Sequence, residues 1–545
     1  MQKFFLFFWP VLFGVTLAYS QTAPRESLGS CTSIMVGKQA SADGSVITSH
    51  TCDGRYRTWM EIVPGQKHKK GETAKILRGT LFTERMDEIT TVWQTSKVPQ
   101  NPILHDFEVA LGVCGEIPEA EETYAFLYTA YPCMNEKNLA IGETTIEGRP
   151  ELVNDKGMFY IEELERIALQ RCTTAREAIV LMGELVKKYG YADIGECLTV
   201  ADKNEVWHFE IFGEGPDKIG GVWAAQRIPD HHVGISANIS RIGELHLEDK
   251  DRFMASENVF EVAERMGFWD GQSTFKMWKA YSGRKPFSIR EWFVLSSLAP
   301  SLHLSLNDDE LPFSVQPEQL VSVRDVLRFF RTTYEDTPYD MTKNLLVERK
   351  RANSEEKETL KSPYASPWPT SQLIATYNAL KDSTIVRVRN IAVPQCSYAH
   401  VIQVRNSVPD EWACVAYLTN DNPGQSPRIP VYASILQTPE SYKVSGHKRY
   451  VSESAAWTYR RTNKLASVRW QELRKKTEPE REFFENKLFD EQGAVEAEAL
   501  KILNRQGKQA CRQYLTQYLS NFAAETEKRW RLLEEELWYA FIQGL

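Results

Sequence analysis

The stretch that decides the fold is Cys31-Thr-Ser-Ile-Met-Val36, followed by Gly37 to Gly44 and then Ser45-Val-Ile-Thr-Ser-His50. Two short runs rich in β-branched and apolar residues flank a segment that holds the turn formers Ser41, Asp43 and Gly44, which predicts a strand, a turn and a second strand. Pairing the two as a hairpin sets Cys31 opposite His50 or Thr51. Asp53 then lies about two residues further along the partner strand, so a carboxylate approaches a thiol.

Working outward from this hairpin, the N-terminal side reads as a targeting segment. Lys3 supplies a positive charge, Phe4 to Ala18 is almost unbroken apolar sequence, and Ala18-Tyr19-Ser20 ends it in small residues. That order predicts a secretory signal over residues 1–20, cleaved after Ser20, and an exported protein, periplasmic or secreted. The polar segment Gln21 to Ser30 reads as a short pro-segment. No later run of about twenty apolar residues occurs, so no stable membrane span is expected in the mature chain.

On the C-terminal side, Phe159 to Lys188 has helical period. It restarts at Thr174-Ala-Arg-Glu177, a capping box, with Ile179, Met182, Leu185 and Val186 on one face. Cys197–Ala201, Val206–Phe212, Val222–Ile228 and His231–Ile239 read as strands; in the second, Trp207, Phe209 and Ile211 alternate with His208 and Glu210. Lys350 to Ser371 reads as a charged, Ser/Pro-rich surface loop. Beyond about Ser452 the pattern is helical to the end, with Leu533, Leu537 and Phe541 at helical spacing. Helices followed by antiparallel strands indicate a layered α+β core over residues 31–450, with a helical region, 451–545, packed on it.

With 545 residues, 42% hydrophobic and 25% charged, the chain has globular composition, and its net charge of −8 argues against a nucleic-acid partner. Lys67 to Lys70 is read as a solvated loop. Nine cysteines without a Cys-x-x-Cys pair remove zinc-ribbon and thioredoxin readings. His208, Glu210, Glu205 and His231-His232 lack the His-Glu-x-x-His signature and are read as structural, so no metal and no cofactor is expected. Gly213-Glu-Gly215 is not a dinucleotide fingerprint, and neither a P-loop nor a Gly-x-Ser-x-Gly elbow is present.

Cys31 stands out by position. A chain cut before it carries its own α-amine beside its thiol; the amine titrates near about 7.7–8.0 and the thiol near about 8.5, so one residue supplies both base and nucleophile. Leu28-Gly-Ser-Cys31 also resembles a lipobox, which gives the alternative of a non-catalytic lipoprotein anchored through Cys31. The polar stretch from Gln21 to Ser27 separates that motif from the apolar run and speaks against it.

Cys31-Thr-Ser-Ile-Met-Val-Gly37 and Ala40-Ser-Ala-Asp-Gly-Ser45 resemble the opening of the family C69 dipeptidases, cysteine members of the N-terminal-nucleophile hydrolases akin to penicillin V and bile-salt acylases. Met134-Asn-Glu-Lys-Asn-Leu-Ala-Ile-Gly-Glu-Thr-Thr145, Ala201-Asp-Lys-Asn-Glu-Val-Trp207, Gln226-Arg-Ile-Pro-Asp230, Arg331-Thr-Thr-Tyr-Glu-Asp-Thr-Pro-Tyr-Asp340 and Ala456-Trp-Thr-Tyr-Arg-Arg-Thr-Asn463 follow in family order. The resemblance implies a four-layer αββα N-terminal-nucleophile fold with a helical C-terminal extension, and hydrolysis of dipeptides with a free amino terminus through a thioester, without a metal. It makes Cys31 the nucleophile, Asp53 the acidic residue that meets amine and substrate, and Asn238 an oxyanion donor. Glu143, Thr144 and Thr145 fall where a second oxyanion or substrate contact is expected. Arg241 either binds a substrate carboxylate or pairs with Glu244. Where relatives carry an Arg- or Asn-rich stretch before the acidic residue, this chain has Ser49-His50-Thr51-Cys52. An acylase of the same superfamily is the alternative activity; small peptides are the expected partners, and self-association into a homo-oligomer stays open.

Overall fold

The computed structural model describes residues 31–99, 108–351, 353 and 355–543. The expected signal, residues 1–20, and pro-segment, residues 21–30, lie outside the described residues. Along the chain the elements that build the site are β1 (Ser33–Val36), β2 (Val46–Asp53), β3 (Ala140–Thr145), α1 (Ile161–Arg171), α2 (Ala175–Tyr189), β4 (Glu196–Ala201), β5 (Val206–Gly213), β6 (Gly221–Arg227) and β7 (Val233–Ser236). They continue with α3 (Ile289–Leu298), β8 (Cys396–Val404), β9 (Cys414–Asn420), β10 (Ile429–Tyr432), α4 (Ala455–Val468), α5 (Trp470–Gln506) and α6 (Lys508–Gln543). The protein is thus of mixed α+β class with a helical C-terminal region.

The site-building strands lie in two antiparallel sheets. One has seven strands, with β7, β1, β2, β8, β9 and β10 side by side after a short edge strand, Ser314–Val315. The other has eight, with β6, β5, β4 and β3 at its centre. The sheets lie face to face at the site end. A Cβ on Gly142 of β3 would sit 2.1 Å from the Ser49 carbonyl oxygen of β2, so only glycine allows this approach. Hydroxyls tie the faces together: Thr199 Oγ1 lies 2.7 Å from both Ser33 and Thr48 hydroxyls, and Thr144 Oγ1 lies 2.5 Å from Ser236 Oγ. Every residue of β2 is buried, which explains why this strand shows no clean apolar–polar alternation.

Helices cover the sheets. α2 packs on β4, β5 and β6, α3 on β7, α4 on β9 and α6 on β10. The capping box at α2 is present: Thr174 Oγ1 accepts from the Glu177 N–H, and the Glu177 carboxylate accepts from the Thr174 N–H at 3.1 Å. An N-cap of this kind stabilises a helix by about 0.5–2 kcal/mol. Ile179, Met182, Leu185 and Val186 are all buried, each contributing on the order of 1.5–3 kcal/mol of apolar burial. Leu515, Leu519, Leu533 and Leu537 of α6 join the same apolar cluster as Ile34 and Val36 of β1.

Lys350 to Ser371 departs from the expected loop. Leu346–Lys350 and Lys357–Lys361 pair as an antiparallel ladder with Lys357 bound to Glu348 at 3.0 Å, and a helix starts at Ser371. Neither strand buries a face, so charge alone gave the stretch the look of a loop. Among the described residues no helix is long and apolar enough to cross a membrane.

Candidate active site

The hairpin places the nucleophile candidate. Val36 pairs with Ile47 and Thr32 bridges Thr51, a register that continues to Cys52 as the residue facing Cys31. The expected partner, His50 or Thr51, is corrected by one residue, because the connection between the strands takes up a different length from the one assumed. His50 and Asp53 then flank the thiol. Cys31 is fully buried, and its nitrogen donates to Asn238 Oδ1 at 2.8 Å. Its carbonyl accepts from Arg290 Nη1 at 2.8 Å, while Arg290 Nη2 reaches the Ala237 carbonyl at 2.8 Å. Arg290, from α3, therefore fastens the head of β1 to the end of β7.

Asn238 holds a left-handed backbone, φ +62°, and its Nδ2 donates to the Thr145 carbonyl at 2.8 Å. The side chain thus spans from β3 to the nucleophile's nitrogen. The oxygen end faces Cys31 N, and one of the two hydrogens of the nitrogen end is committed to Thr145.

The thiol, an imidazole nitrogen of His50 and a carboxylate oxygen of Glu143 all lie within 4.8 Å of one another. Glu143 Oε2 is 3.3 Å from His50 Nε2, and Thr145 Oγ1 donates to Glu143 Oε1 at 3.2 Å. Burial pushes the Cys31 thiol well up, and the Glu143 carboxylate adds to it, so the uncut chain keeps the thiol protonated. Burial also raises Glu143, to about 7, against a bond from Glu196. His50 is pushed down by burial, with His400 beside it, and is neutral.

Glu143 has acid company. Glu162, Glu165 and Glu196 are buried, Asp193 is half-buried, and burial raises all four; like charge from neighbouring carboxylates adds to the shift of Glu162, Glu165 and Glu196. Both carboxyl oxygens of Glu165 lack a hydrogen-bond partner among the described residues.

The other flank is basic. Asp53 accepts from Arg389 Nη2 at 2.8 Å and from Thr51 Oγ1 at 3.0 Å. Burial raises Asp53, and the Arg389 charge opposes that. Beside it opens a cavity of about 810 Å³ lined by Asp53, Arg55, Arg290, Trp368, Arg387 and Arg389. The cations that Ser49-His50-Thr51-Cys52 does not supply come from these distant segments.

The remaining sequence candidates divide. Thr144 Oγ1 is bonded across the sheets to Ser236, whereas Thr145 touches both Glu143 and Asn238. Arg241 neither faces the cavity nor pairs with Glu244. Its guanidinium donates to the carbonyls of Pro286 and Pro312, at 2.5 and 2.6 Å, because the chain that follows β7 turns it into a loop-holding position. His208 pairs with Glu210 at 2.8 Å and is raised to about 10 against a burial that opposes it, by Cys197 and by Glu210. Glu205 pairs instead with Arg176 and Arg227, away from His208. All nine cysteines are free thiols. Sequence reasoning missed Arg290, Arg389, Glu196 and the contact of His50 with Glu143. The Ser288–Glu291 capping box marks the helix that carries Arg290, but not where its side chain goes.

A buried thiol wedged between a carboxyl and an asparagine that grips its own nitrogen meets clear relatives among known proteins. The family model for Peptidase family C69 matches residues 30–482. A probable dipeptidase of Latilactobacillus sakei is 26% identical over 80% of this chain and 80% of its own length. A probable dipeptidase B of Lactococcus lactis subsp. lactis is 25% identical over 76% and 77%, and Dipeptidase A of Lactobacillus helveticus is 22% identical over 76% and 77%. The protein is a hydrolase of the peptidase class. It belongs to peptidase family C69.

Proposed function

We propose that the protein is an exported cysteine dipeptidase, active as a chain that begins at Cys31 and built on a four-layer αββα N-terminal-nucleophile fold. The observation that carries the reading is the Asn238 bond to Cys31 N, 2.8 Å long, beside a thiol that touches Glu143. A nitrogen held by a side chain's carbonyl oxygen is positioned to serve as an amine once the Ser30–Cys31 bond is cut. Two sheets lying face to face, with helices packed on each, support that reading of the fold.

In the mature chain the neutral α-amine takes the thiol proton, and the thiolate attacks the carbonyl carbon of the substrate's peptide bond. The Asp53 backbone N–H, which points at Cys31 Sγ, becomes an oxyanion donor. Losing one such donor typically costs about 10²–10³ in rate. The ammonium of Cys31 then protonates the leaving amine, and the C-terminal amino acid departs, leaving a thioester. Water, deprotonated by the same amine, attacks the thioester carbonyl and releases the N-terminal amino acid as its carboxylate.

The substrate's own charges orient it. Asp53 is already paired with Arg389, whereas Glu143 and Glu196 have no cation against them among their strongest influences. A substrate ammonium therefore settles toward Glu143 more readily than toward Asp53, which acts through the arginines and the oxyanion. The C-terminal carboxylate faces the arginine-lined cavity. Burying an unmatched charge is expensive, so a ligand that lacks either end is disfavoured.

The test compares a free dipeptide with its N-acetyl and C-amide derivatives on the mature chain. The free dipeptide is expected to be cleaved at least about tenfold better than either, one such factor being about 1.4 kcal/mol. Preferred cleavage of the N-acyl derivative would move the reading to an acylase.

A further inference from the structure

We propose that Cys31, His50 and Glu143 form a binding site for one Zn²⁺ ion, which caps the nucleophile and holds the enzyme inactive. The three groups come from different strands or strand ends, all are buried, and their donor atoms converge within 4.8 Å. Both ring nitrogens of His50 lack a hydrogen bond of good geometry, Nε2 standing 3.3 Å from Glu143 Oε2, although these side chains are no more than 1% exposed. A buried imidazole with no well-formed hydrogen bond thus lies together with a buried carboxyl and a thiol.

The spacing fits a tetrahedral ion. Zinc bonds of about 2.0–2.1 Å to nitrogen and about 2.0–2.2 Å to oxygen set those two ligand atoms about 3.4 Å apart. His50 Nε2 and Glu143 Oε2 are 3.3 Å apart without any metal. Sulfur at about 2.3 Å from zinc belongs about 3.6 Å from each of them, so zinc would hold the Cys31 thiol inside the 4.8 Å that bounds the three atoms. One sulfur, one imidazole and one carboxylate suit zinc and not magnesium or calcium, which take oxygen ligands. The fourth position falls to water or to the freed amine of Cys31.

The charges balance. Binding releases the thiol proton, and the Glu143 proton where it is carried. Thiolate and carboxylate then meet the two positive charges of the ion, leaving a neutral group in a buried site. A thiolate coordinated to zinc no longer has its lone pair free for a carbonyl carbon. The inhibitory half of the inference rests on the role proposed for Cys31; the binding half does not.

Binding is read directly, without substrate, by adding Co²⁺ to the mature chain and following thiolate-to-metal charge-transfer absorption, then displacing it with Zn²⁺ against a chromophoric chelator. One equivalent is expected to produce the band, and carboxamidomethylation of Cys31 to abolish it. Loss of a residue that merely orients a metal ligand typically costs about 10–100-fold in affinity, so His50→Gln and Glu143→Gln should each weaken zinc at least as much. Zn²⁺ should inhibit hydrolysis at the occupancy read by the chelator, and EDTA should restore it. The proposal is overturned if no band forms, or if zinc affinity is unchanged in whichever of the two variants folds. A chain that binds zinc at this site yet cleaves no dipeptide would sink the proposed function and leave the site standing.

Discussion

The two flanks of Cys31 differ in chemistry, one a set of buried acids and the other a set of arginines, and they are built by opposite means. On the Glu143 side, carboxyls from β3, β4 and the start of α1 are buried against one another and raised by that burial. On the Asp53 side, one carboxylate is outnumbered by Arg290, Arg387 and Arg389 around an open cavity. On the proposed reading a cation brought to the first flank favours its ionised carboxylates, and an anion suits the second. Under the proposed function, a zwitterionic dipeptide sets its ammonium toward the first flank and its carboxylate toward the second.

The comparison can be broken at its hinge first. Replacing Cys31 with alanine should lower hydrolysis by about 10⁴-fold or more, measured by initial rates on the mature chain, since a nucleophile's loss is not shared out among its neighbours. Both flanks would survive that change, so substrate binding should persist in equilibrium dialysis.

The acid flank comes next. Glu143→Gln should reduce kcat/KM for a free dipeptide by about 10²-fold and leave the N-acetyl derivative nearly unaffected, because truncating one partner of a buried charge pair costs about 2–5 kcal/mol. Since the carboxylate is the form that accepts the ammonium, wild-type kcat/KM should rise with pH through the Glu143 titration, near about 7, and the variant should lose that limb. An unchanged profile and unchanged selectivity would remove Glu143 from recognition.

On the basic flank a smaller effect is expected, because Arg389 is one of several arginines and is part exposed. Arg389→Met should raise KM for the free dipeptide by about tenfold, with less change for the C-amide, a shift of about 1.4 kcal/mol. Equal losses on both substrates would give Arg389 a positioning role through Asp53 alone.

The smallest effect is one of stability. Burial raises Glu162 to about 8. A carboxyl raised in the folded state binds its proton more tightly there, so its contribution is complete below the unfolded value and is lost as pH rises through the folded one. Glu162→Gln should therefore match wild type in Tm at about pH 4 and exceed it by a margin that widens toward about pH 8. A constant difference in differential scanning fluorimetry would show that Glu162 does not titrate with the acid flank.

Much of the scaffold was legible because its causes are local. Thr174 and Glu177 announce a helix start three residues apart, Trp207, Phe209 and Ile211 mark a strand, and Ser41 to Gly44 turn the hairpin that carries Cys31 and Asp53. The site was legible only where the hairpin itself supplied it. Arg290 reaches Cys31 across 259 positions and Arg389 reaches Asp53 across 336, and no periodicity encodes such meetings. Asn238 was found through resemblance, yet its orientation was not. An amide offers a donor and an acceptor, and only the placement of Thr145 and Cys31 decides which end serves which. Arg241 misled for the same reason: its neighbours in sequence say nothing of the Pro286 and Pro312 carbonyls that occupy it.

The most direct measurement is of the N-terminus itself. Intact-mass analysis of the purified active protein, with iodoacetamide labelling followed in parallel with dipeptide hydrolysis, reads where the chain begins and whether its first residue reacts. The account predicts a chain that starts at Cys31 and one adduct on that residue that tracks the loss of activity. A fully active chain that still carries residues 21–30, or activity that survives complete labelling of Cys31, would contradict it.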